Sequence, residues 1–237
     1  MKLSDISAAE TLVILHPNAA SSRELFKITF GDLLLHRVLK LENFDEDYLG
    51  HIWVLPDINF EMFTPQPHHE CFTKHFSFHK KAISMNELFH LALSEVREFK
   101  DSFKHLVVYK SDYVSVYFKS SYFLSNSSIY KLLPDGLEFQ KKMYIALTKA
   151  EQRLSSFMEQ PKDAAFGLLS TVGSNMLVLD SFESAELAAS CRQKMLDQTL
   201  NQGIEDFYSV DFLEIKSAMD FLDNQFKKIV FEYQEEE

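Results

Sequence analysis

The stretch ETLVILHPNAASSRELFKITFGDLLLHRVLKLE, residues Glu10–Glu42, decides how the first part of the chain folds. Apolar residues at positions 9, 12, 13 and 15 form a short helical stripe, which Pro17 ends. Ser21 or Ser22 can then cap a second helical pattern that has an acidic residue in its first turn. Two helices joined by a short polar loop are therefore expected.

Gly31 interrupts the second helical pattern and divides it into two predicted helices, Ser22–Thr29 and Asp32–Arg37. Beyond them, apolar and polar residues alternate over 38–44, and an apolar run follows at 51–55. The acidic, glycine-containing segment between these two runs is typical of a turn, so the runs predict a β-hairpin.

A short helix, a helix pair and a strand that begins VLKLE resemble, in this order, the winged-helix domains of bacterial regulatory and interaction proteins. The segment YKLLPDGLEFQKKM, residues 130–143, is similar to the wing strand, glycine turn and C-terminal helix of such regulators. The resemblance implies a winged-helix-like unit at the N-terminus and a second unit of related design. Winged helices bind DNA or other proteins, and both functions follow as expectations from the resemblance.

The middle of the chain predicts a helix, an ambiguous segment and a second long helix. Ser84 and Glu87 form a capping box that opens an amphipathic pattern over 84–105. Residues 106–123 are rich in Val and Tyr, which favours two strands, although a second winged-helix unit would need a helix there. Pro134-Asp-Gly136 is a turn signal, and a long amphipathic helix is expected after it. The apolar stripe of this helix comprises Phe139, Met143, Leu147, Ala150, Leu154 and Phe157.

These patterns predict a helix-rich α+β protein with four parts. They are a winged-helix-like unit over 1–62, a histidine-rich connector over 63–83, a second α+β unit over 84–160, and an acidic helical part over 161–237. A heptad-like apolar seam near 212–229 favours packing against the core, with a homodimer as the alternative.

The excess negative charge lies in the last third of the chain. The net charge is −11, and residues 150–237 hold 7 Lys+Arg against 17 Asp+Glu. An acidic chain is a poor general nucleic-acid ligand, because phosphate neutralisation supplies most non-specific affinity. Residues 71–119 are locally basic, so a nucleic-acid contact is expected there if anywhere, through residues 74–119. Its candidate residues are Lys74, Lys80, Lys81, Lys104 and Lys110.

Several common chemistries have no sequence support. The six glycines do not form a dinucleotide fingerprint or a P-loop, and neither a serine-hydrolase elbow nor a kinase signature set is present. Two cysteines provide no disulfide framework, and the first residues do not form a signal peptide, so a cytoplasmic protein is expected. No apolar run is long enough for a membrane helix, and no membrane association is expected.

The histidine-rich run PQPHHECFTKHFSFHKK, residues 65–81, is the main candidate for a metal site. Cys71, His75 and His79 are spaced by four residues, so a helix would place all three on one face. Pro65 and Pro67 instead favour an extended connector or edge strand, anchored by its phenylalanines, and this is the preferred interpretation.

A non-catalytic interaction or regulatory protein is therefore expected, with another protein as its partner and an association with nucleic acid as a second branch. No cofactor is expected. The alternative is a metal-dependent hydrolase or another enzyme that uses the His68–His79 cluster, with a divalent metal as its cofactor.

Overall fold

A computed structural model describes residues 3–43, 52–76, 82–97, 102–119, 130–156, 172–179, 215 and 217–226. The fold is helix-rich α+β, as predicted, with a small antiparallel sheet among the helices. The elements are α1 (Ala8–Leu15), α2 (Ser22–Leu35), β1 (Leu39–Asn43), β2 (Ile52–Pro56), α3 (Pro67–Thr73), β3 (Ile83–Ser84), α4 (Met85–Arg97), α5 (Ser102–Tyr109) and α6 (Pro134–Ser156). Short 3-10 helices cover Leu3–Asp5, Ser115–Tyr117 and Gly173–Val178, and residues 217–226 are helical.

Capping boxes define the starts of the first two helices. The Ser7 hydroxyl accepts from the Glu10 amide while the Glu10 carboxylate accepts from the Ser7 amide. Ser21 and Glu24 repeat this arrangement at α2. Such reciprocal bonds satisfy amides that a helix leaves unpaired at its first turn, which stabilises a helix by about 1 kcal/mol per cap.

The predicted hairpin is confirmed. Strands β1 and β2 pair antiparallel, with Leu41 opposite Val54, and β3 adds to the other edge of β2. The turn from α2 into β1 has Arg37 at a φ of 53°, the left-handed conformation that commonly follows a helix end. Its guanidinium Nε donates to Asp57 Oδ2 at 2.9 Å, which ties the end of α2 to the end of β2.

The predicted break at Gly31 is wrong, because α2 continues through this residue. A Cβ at Gly31 would lie 3.2 Å from Leu177 Cδ1 and 3.2 Å from Met219 Sδ. The glycine therefore allows two other segments to pack closely against the helix, and it does not turn the chain. The helix pair on which the winged-helix resemblance rested is one helix here, so only the short first helix and the hairpin of that pattern are present.

The choice between strands and helix that the sequence leaves open for residues 106–123 is answered in part, and two further predictions about local structure are wrong. Residues 106–109 belong to α5, and residues 115–117 form a 3-10 helix, so these residues do not form strands. Pro134 is the first residue of α6, where its missing amide hydrogen costs nothing, so Pro134-Asp-Gly136 starts a helix and not a turn. Residues 67–73, predicted as a connector or edge strand, form helix α3, again with a proline at its first position.

One buried hydrophobic cluster contains side chains from all four predicted parts of the chain. Phe26 of α2 is near its centre, with ring centroids of Phe72, Phe89 and Phe103 at 4.5, 5.7 and 5.3 Å. Edge-on and tilted aromatic pairs contribute about 0.5–1.5 kcal/mol each beyond the burial of their area. The helical α3 thus takes part in the core, while the predicted part boundaries remain predictions.

The C-terminal helical segment, residues 217–226, packs on the N-terminal half of α2. Phe226 lies 5.6 Å from Phe26 between ring centroids, and the Arg23 guanidinium lies 5.6 Å over the Phe226 ring. Asp223 forms ion pairs with Arg23 at 3.0 Å and Lys27 at 2.8 Å. The predicted helix near 212–229 is confirmed for these residues, while positions 212 and 229 lie outside the described residues.

Candidate functional site

A cluster of polar side chains lies in the core where α1, α2, α3 and Ser111, two residues after the end of α5, meet. We call it the buried polar cluster. Its members are Ser7, Glu10, Asp32, His36, His68, His69 and Ser111. Polar groups in an apolar core are unfavourable unless they are hydrogen-bonded, so the pairing of each member decides what the cluster does.

Asp32 lies at the centre of the cluster and bridges two histidines. His36, one turn later on α2, places Nδ1 2.8 Å from Asp32 Oδ1. His69 of α3 places Nε2 3.0 Å from Asp32 Oδ2. Each carboxylate oxygen therefore has its own imidazole, and the aspartate joins the C-terminal end of α2 to α3.

The Asp32–His36 side of this bridge is charged at neutral pH. Burial alone would raise the pKa of Asp32, but the charge of His36 and hydrogen bonds from His36 and His69 lower it below its usual range. The Asp32 carboxylate in turn raises the pKa of His36 to about 9. Asp32 and His36 thus form an ion pair, and the His36 side chain, 41% exposed, carries its positive charge at the solvent edge.

Two hydrogen bonds orient the ring of His69. The Gln66 amide donates to His69 Nδ1 at 3.2 Å, so Nδ1 is an acceptor without a proton. Nε2 then carries the ring proton and donates it to Asp32 Oδ2. The start of α3 thereby orients the imidazole toward the aspartate.

His68, next to His69 in α3, is a fully buried neutral imidazole. Its Nε2 lies 3.1 Å from Ser7 Oγ, and within the described part of the chain Nδ1 has no hydrogen-bond partner. Burial, reinforced by the neighbouring His69, lowers the pKa of His68 well below the usual value. His68 therefore stays uncharged at physiological pH.

Glu10 closes the cluster on the side of α1. Its Oε2 accepts from the Ser7 amide, and its Oε1 accepts a short hydrogen bond from the Ser111 hydroxyl. Ser111 Oγ also accepts from the Tyr113 and Val114 amides at 3.1 Å. Burial raises the pKa of Glu10, although the hydrogen bonds from Ser111 and Ser7 oppose this rise.

The arrangement is better suited to cross-linking helices than to nucleophilic catalysis. A serine–histidine–aspartate relay needs one imidazole between both partners, whereas Ser7 contacts His68 and Asp32 contacts His69. The Ser7 hydroxyl is also engaged as a helix cap. His36 provides the main exposed surface of the cluster, because its other histidines and both carboxylates are buried.

Among the described residues, the metal candidates from the sequence do not lie together. Cys71 is buried in α3, where its Sγ donates to the His68 carbonyl, and burial raises the pKa of its thiol well above the usual value. His75 Nε2 lies 3.2 Å from Glu95 Oε1, and His79 is outside the described residues. Among the described residues, no three His, Cys, Asp or Glu side chains are arranged to hold a metal ion.

The nucleic-acid candidates have different surroundings. Lys74 is paired with Glu95, and Lys110 is exposed. Lys104 is buried, where its Nζ donates to the Ala20 carbonyl at 2.7 Å and lies 4.7 Å from the centre of the Tyr130 ring. Lys80 and Lys81 lie outside the described residues. No contiguous basic face can be assembled from the three candidates that the structure describes.

A second candidate site is the outer face of α6, defined by Leu137, Lys141, Tyr144, Ile145 and Lys149. All five side chains are exposed, and the three apolar ones are 48%, 63% and 56% exposed. Their spacing of three, four and eight residues places them along one side of the helix. The opposite side, with Met143, Leu147 and Ala150, packs into the core.

The sequence contains a signal for this second site, namely apolar residues that lie outside the predicted stripe of the helix. The predicted apolar stripe of the helix accounted for positions 139, 143, 147 and 150, all on the inner side. Leu137, Tyr144 and Ile145 fall outside that stripe, so the helix has apolar residues on both sides. For the buried polar cluster, the Asp32–His36 spacing of four residues was the available signal.

None of the helices in the described ranges is both long enough and apolar enough to cross a membrane. No protein-family model, curated protein or solved structure matches this chain.

Proposed function

We propose that this chain is a non-catalytic interaction protein that docks another protein on the outer face of α6. The observation that carries the proposal is the exposure of Leu137, Tyr144 and Ile145 along one side of a helix whose other side is already packed. Clusters of solvent-exposed aromatic and aliphatic side chains are typical of binding surfaces. Lys141 lies between Leu137 and Ile145 on this face, and Lys149 lies one turn beyond Ile145, so the surface mixes apolar and basic side chains.

A non-catalytic role agrees with the chemistry of the buried polar cluster. Its serine and its aspartate contact different histidines, and its carboxylates are enclosed in the core. These groups stabilise the junction of α1, α2 and α3. Gln140 of α6 donates to the Ile14 and Leu15 carbonyls at the end of α1, so this junction gives α6 a rigid base. A rigid base lowers the entropy lost when a surface binds its partner.

We further propose that the protein acts in the cytoplasm. Cys71 is a free thiol held in the core of α3, and a reduced compartment preserves such a thiol.

Photo-crosslinking in cells tests the docking function. A photoreactive phenylalanine analogue at Tyr144 should give a discrete adduct with a second protein, and the same analogue at Asn86, an exposed position on α4, should not. Adding Ile145→Glu should remove the Tyr144 adduct, because a buried carboxylate is unfavourable at the centre of an interface. Equal adducts from both positions, or none from Tyr144, would refute the proposal.

A further inference from the structure

His68 is fully buried in α3, and its ring has a hydrogen-bond partner at one nitrogen alone within the described part of the chain. Nε2 lies 3.1 Å from the Ser7 hydroxyl oxygen, whereas Nδ1 has no such partner there. The Ser7 oxygen already accepts from the Glu10 amide, so the Ser7 hydroxyl proton can be donated to Nε2. This position suits an uncharged imidazole.

A second proton on the His68 ring does not fit the same position. A protonated imidazole has two N–H donors and no acceptor nitrogen. The N–H at Nδ1 would then have no acceptor among the residues that the structure describes. A buried charge that lacks hydrogen bonds is strongly unfavourable. His68 can therefore take up a proton only when α3 moves away from the core and the ring reaches water.

The carboxylates nearest to His68 are already bound to other groups. Asp32 of α2 favours a charge on His68, but its two oxygens bind His36 and His69. The two oxygens of Glu10 in α1 accept from an amide at the start of that helix and from a serine hydroxyl beyond α5. His69, the next residue of α3, disfavours a charge on His68. Neither carboxylate has an oxygen left for a second imidazolium.

The other elements that pack against α3 do not supply a counter-charge either. On the side of α4, Glu95 is paired with Lys74 and His75, the two residues that follow α3. On the side of α5, the Asp112 side chain is exposed, and its amide donates to the Gln66 side chain at the start of α3. Proton uptake by His68 is therefore not compensated from these two helices.

Acid affects the groups of the buried polar cluster in different pH ranges. Burial, with the neighbouring His69, lowers the pKa of His68 well below its usual value of 6.5. The closed position of α3 thus loses stability as the pH falls below 6.5, because the opened ring takes up a proton and the buried ring does not. Over the same range His36 keeps its charge, since its pKa is raised to about 9, and Asp32 stays ionised, since its pKa is lowered. Burial raises the pKa of Glu10, so acid favours the buried form of that carboxyl.

We propose that α3 is an acid-sensitive latch, which leaves the core as the pH falls below about 6.5 while α2 stays folded. Its opening breaks the His69–Asp32 bond, separates the rings of Phe72 and Phe26, and exposes the Cys71 thiol. Because α3 has seven residues and isolated helices of this length are unstable in water, it unfolds once released. The latch works independently of the docking face of α6.

The reactivity of the Cys71 thiol measures the opening. In a chain that carries Cys191→Ser, Cys71 is the only thiol, and 4,4′-dithiodipyridine labels thiols in acid as well as at neutral pH. The labelling rate of the native chain, divided by that of the urea-unfolded chain at the same pH, gives the fraction of open α3. This fraction should rise about tenfold from pH 7.5 to pH 5.5, because opening is coupled to the uptake of one proton by His68.

A substitution at position 68 identifies the group that takes up the proton. His68→Gln keeps a polar side chain next to Ser7 but does not titrate, so the open fraction should change less than twofold over the same range. His90→Gln, at an exposed position of α4, is the matched control and should keep the tenfold rise.

Hydrogen exchange of the wild-type chain separates release of α3 from unfolding of the whole chain. After correction for the intrinsic exchange rate at each pH, peptides from 67–73 should lose about tenfold in protection between pH 7.5 and pH 5.5. Peptides from 22–35 and 85–97 should lose less than twofold. This measurement needs no substitution, so it decides the outcome even if His68→Gln does not fold.

Three results would overturn the latch. Equal loss of protection in α2 and α3 would show that acid unfolds the chain as one unit. An open fraction that stays constant from pH 7.5 to pH 5.5 would show that α3 does not respond to acid. A tenfold rise that persists in His68→Gln would show that another group takes up the proton.

Discussion

His69 Nε2 donates to Asp32 Oδ2 at 3.0 Å, and this bond joins two buried side chains that are 37 residues apart in the sequence. Asp32 also holds His36, so one carboxylate joins the C-terminal end of α2 to helix α3. Removing one member of a buried charged network leaves the others without compensation. The stability of this region should therefore depend strongly on Asp32.

Asp32→Asn should lower the free energy of unfolding by about 2–3 kcal/mol, because the amide still accepts from His69 but no longer balances the charge of His36. The pKa of His36 should fall from about 9 toward its usual value. Urea unfolding and a titration of the imidazole by NMR measure the two effects. Asp220→Asn, at an exposed position of the 217–226 helix, is the control and should change stability by less than about 0.5 kcal/mol.

The His36–Asp32 pair predicts a specific pH dependence of stability. A raised histidine pKa stabilises the fold fully below the usual value of 6.5, and this contribution is lost as the pH rises through about 9. A lowered aspartate pKa stabilises the fold above the usual value of 3.8, and that contribution is lost in acid. The contribution of the pair to stability should thus be largest between pH 3.8 and pH 6.5.

Urea midpoints at pH 6.0, 7.5 and 9.5, measured for the wild-type chain and for His36→Gln, isolate this effect. The difference in stability between the two proteins should shrink steadily from the first pH to the last. A difference that stays constant across this range would show that His36 is not charged by Asp32.

Alanine substitutions at Gly136 and at Gly31 should have different effects on the free energy of unfolding, although both glycines pack closely against other segments. At Gly136, a Cβ would lie 2.6 Å from the Tyr117 carbonyl oxygen, which is backbone and cannot move aside. Gly136→Ala should therefore destabilise the fold by about 1–2 kcal/mol in thermal or urea unfolding. Equal or higher stability of this variant would contradict the packing of α6 against Tyr117.

At Gly31, the atoms that a Cβ would meet belong to the flexible ends of Leu177 and Met219, each at 3.2 Å. Small movements of these side chains offset a gain in helix propensity of about 1 kcal/mol. Gly31→Ala should therefore stay within about 1 kcal/mol of the wild type, whereas Gly31→Leu should destabilise it by about 3 kcal/mol. The same unfolding measurement separates the two substitutions.

Lys104 should prove to be a structural residue. Lys104→Met keeps the aliphatic stem but removes the donor to the Ala20 carbonyl and the charge over the Tyr130 ring. A loss of about 1–3 kcal/mol is expected in urea unfolding, since the buried carbonyl loses its charged donor. Lys110→Met, at an exposed position, is the control, and an equal loss for both would count against a specific role of Lys104.

Helices could be predicted from the sequence where their capping residues and the spacing of their apolar residues agree with the side chains that are buried. The capping serine at position 84 does accept from the Glu87 amide, at 3.2 Å, and the predicted stripe of α6 does face the core. Helix α3 was missed because its prolines favour an extended chain, whereas Pro67 starts the helix. The Asp32–His69 bond was missed because no local pattern specifies which distant side chains meet in a core.

Because Glu10 is buried, the folding of the first turn of α1 depends on the order in which the chain is synthesised. Its carboxylate is buried, and the hydroxyl that compensates this burial belongs to Ser111, 101 residues later. While the chain is being made, α1 emerges long before that hydroxyl exists, so its first turn must stay in water or protonate Glu10 in the meantime. The first helix of the sequence should therefore be among the last to reach its final surroundings as the nascent chain folds.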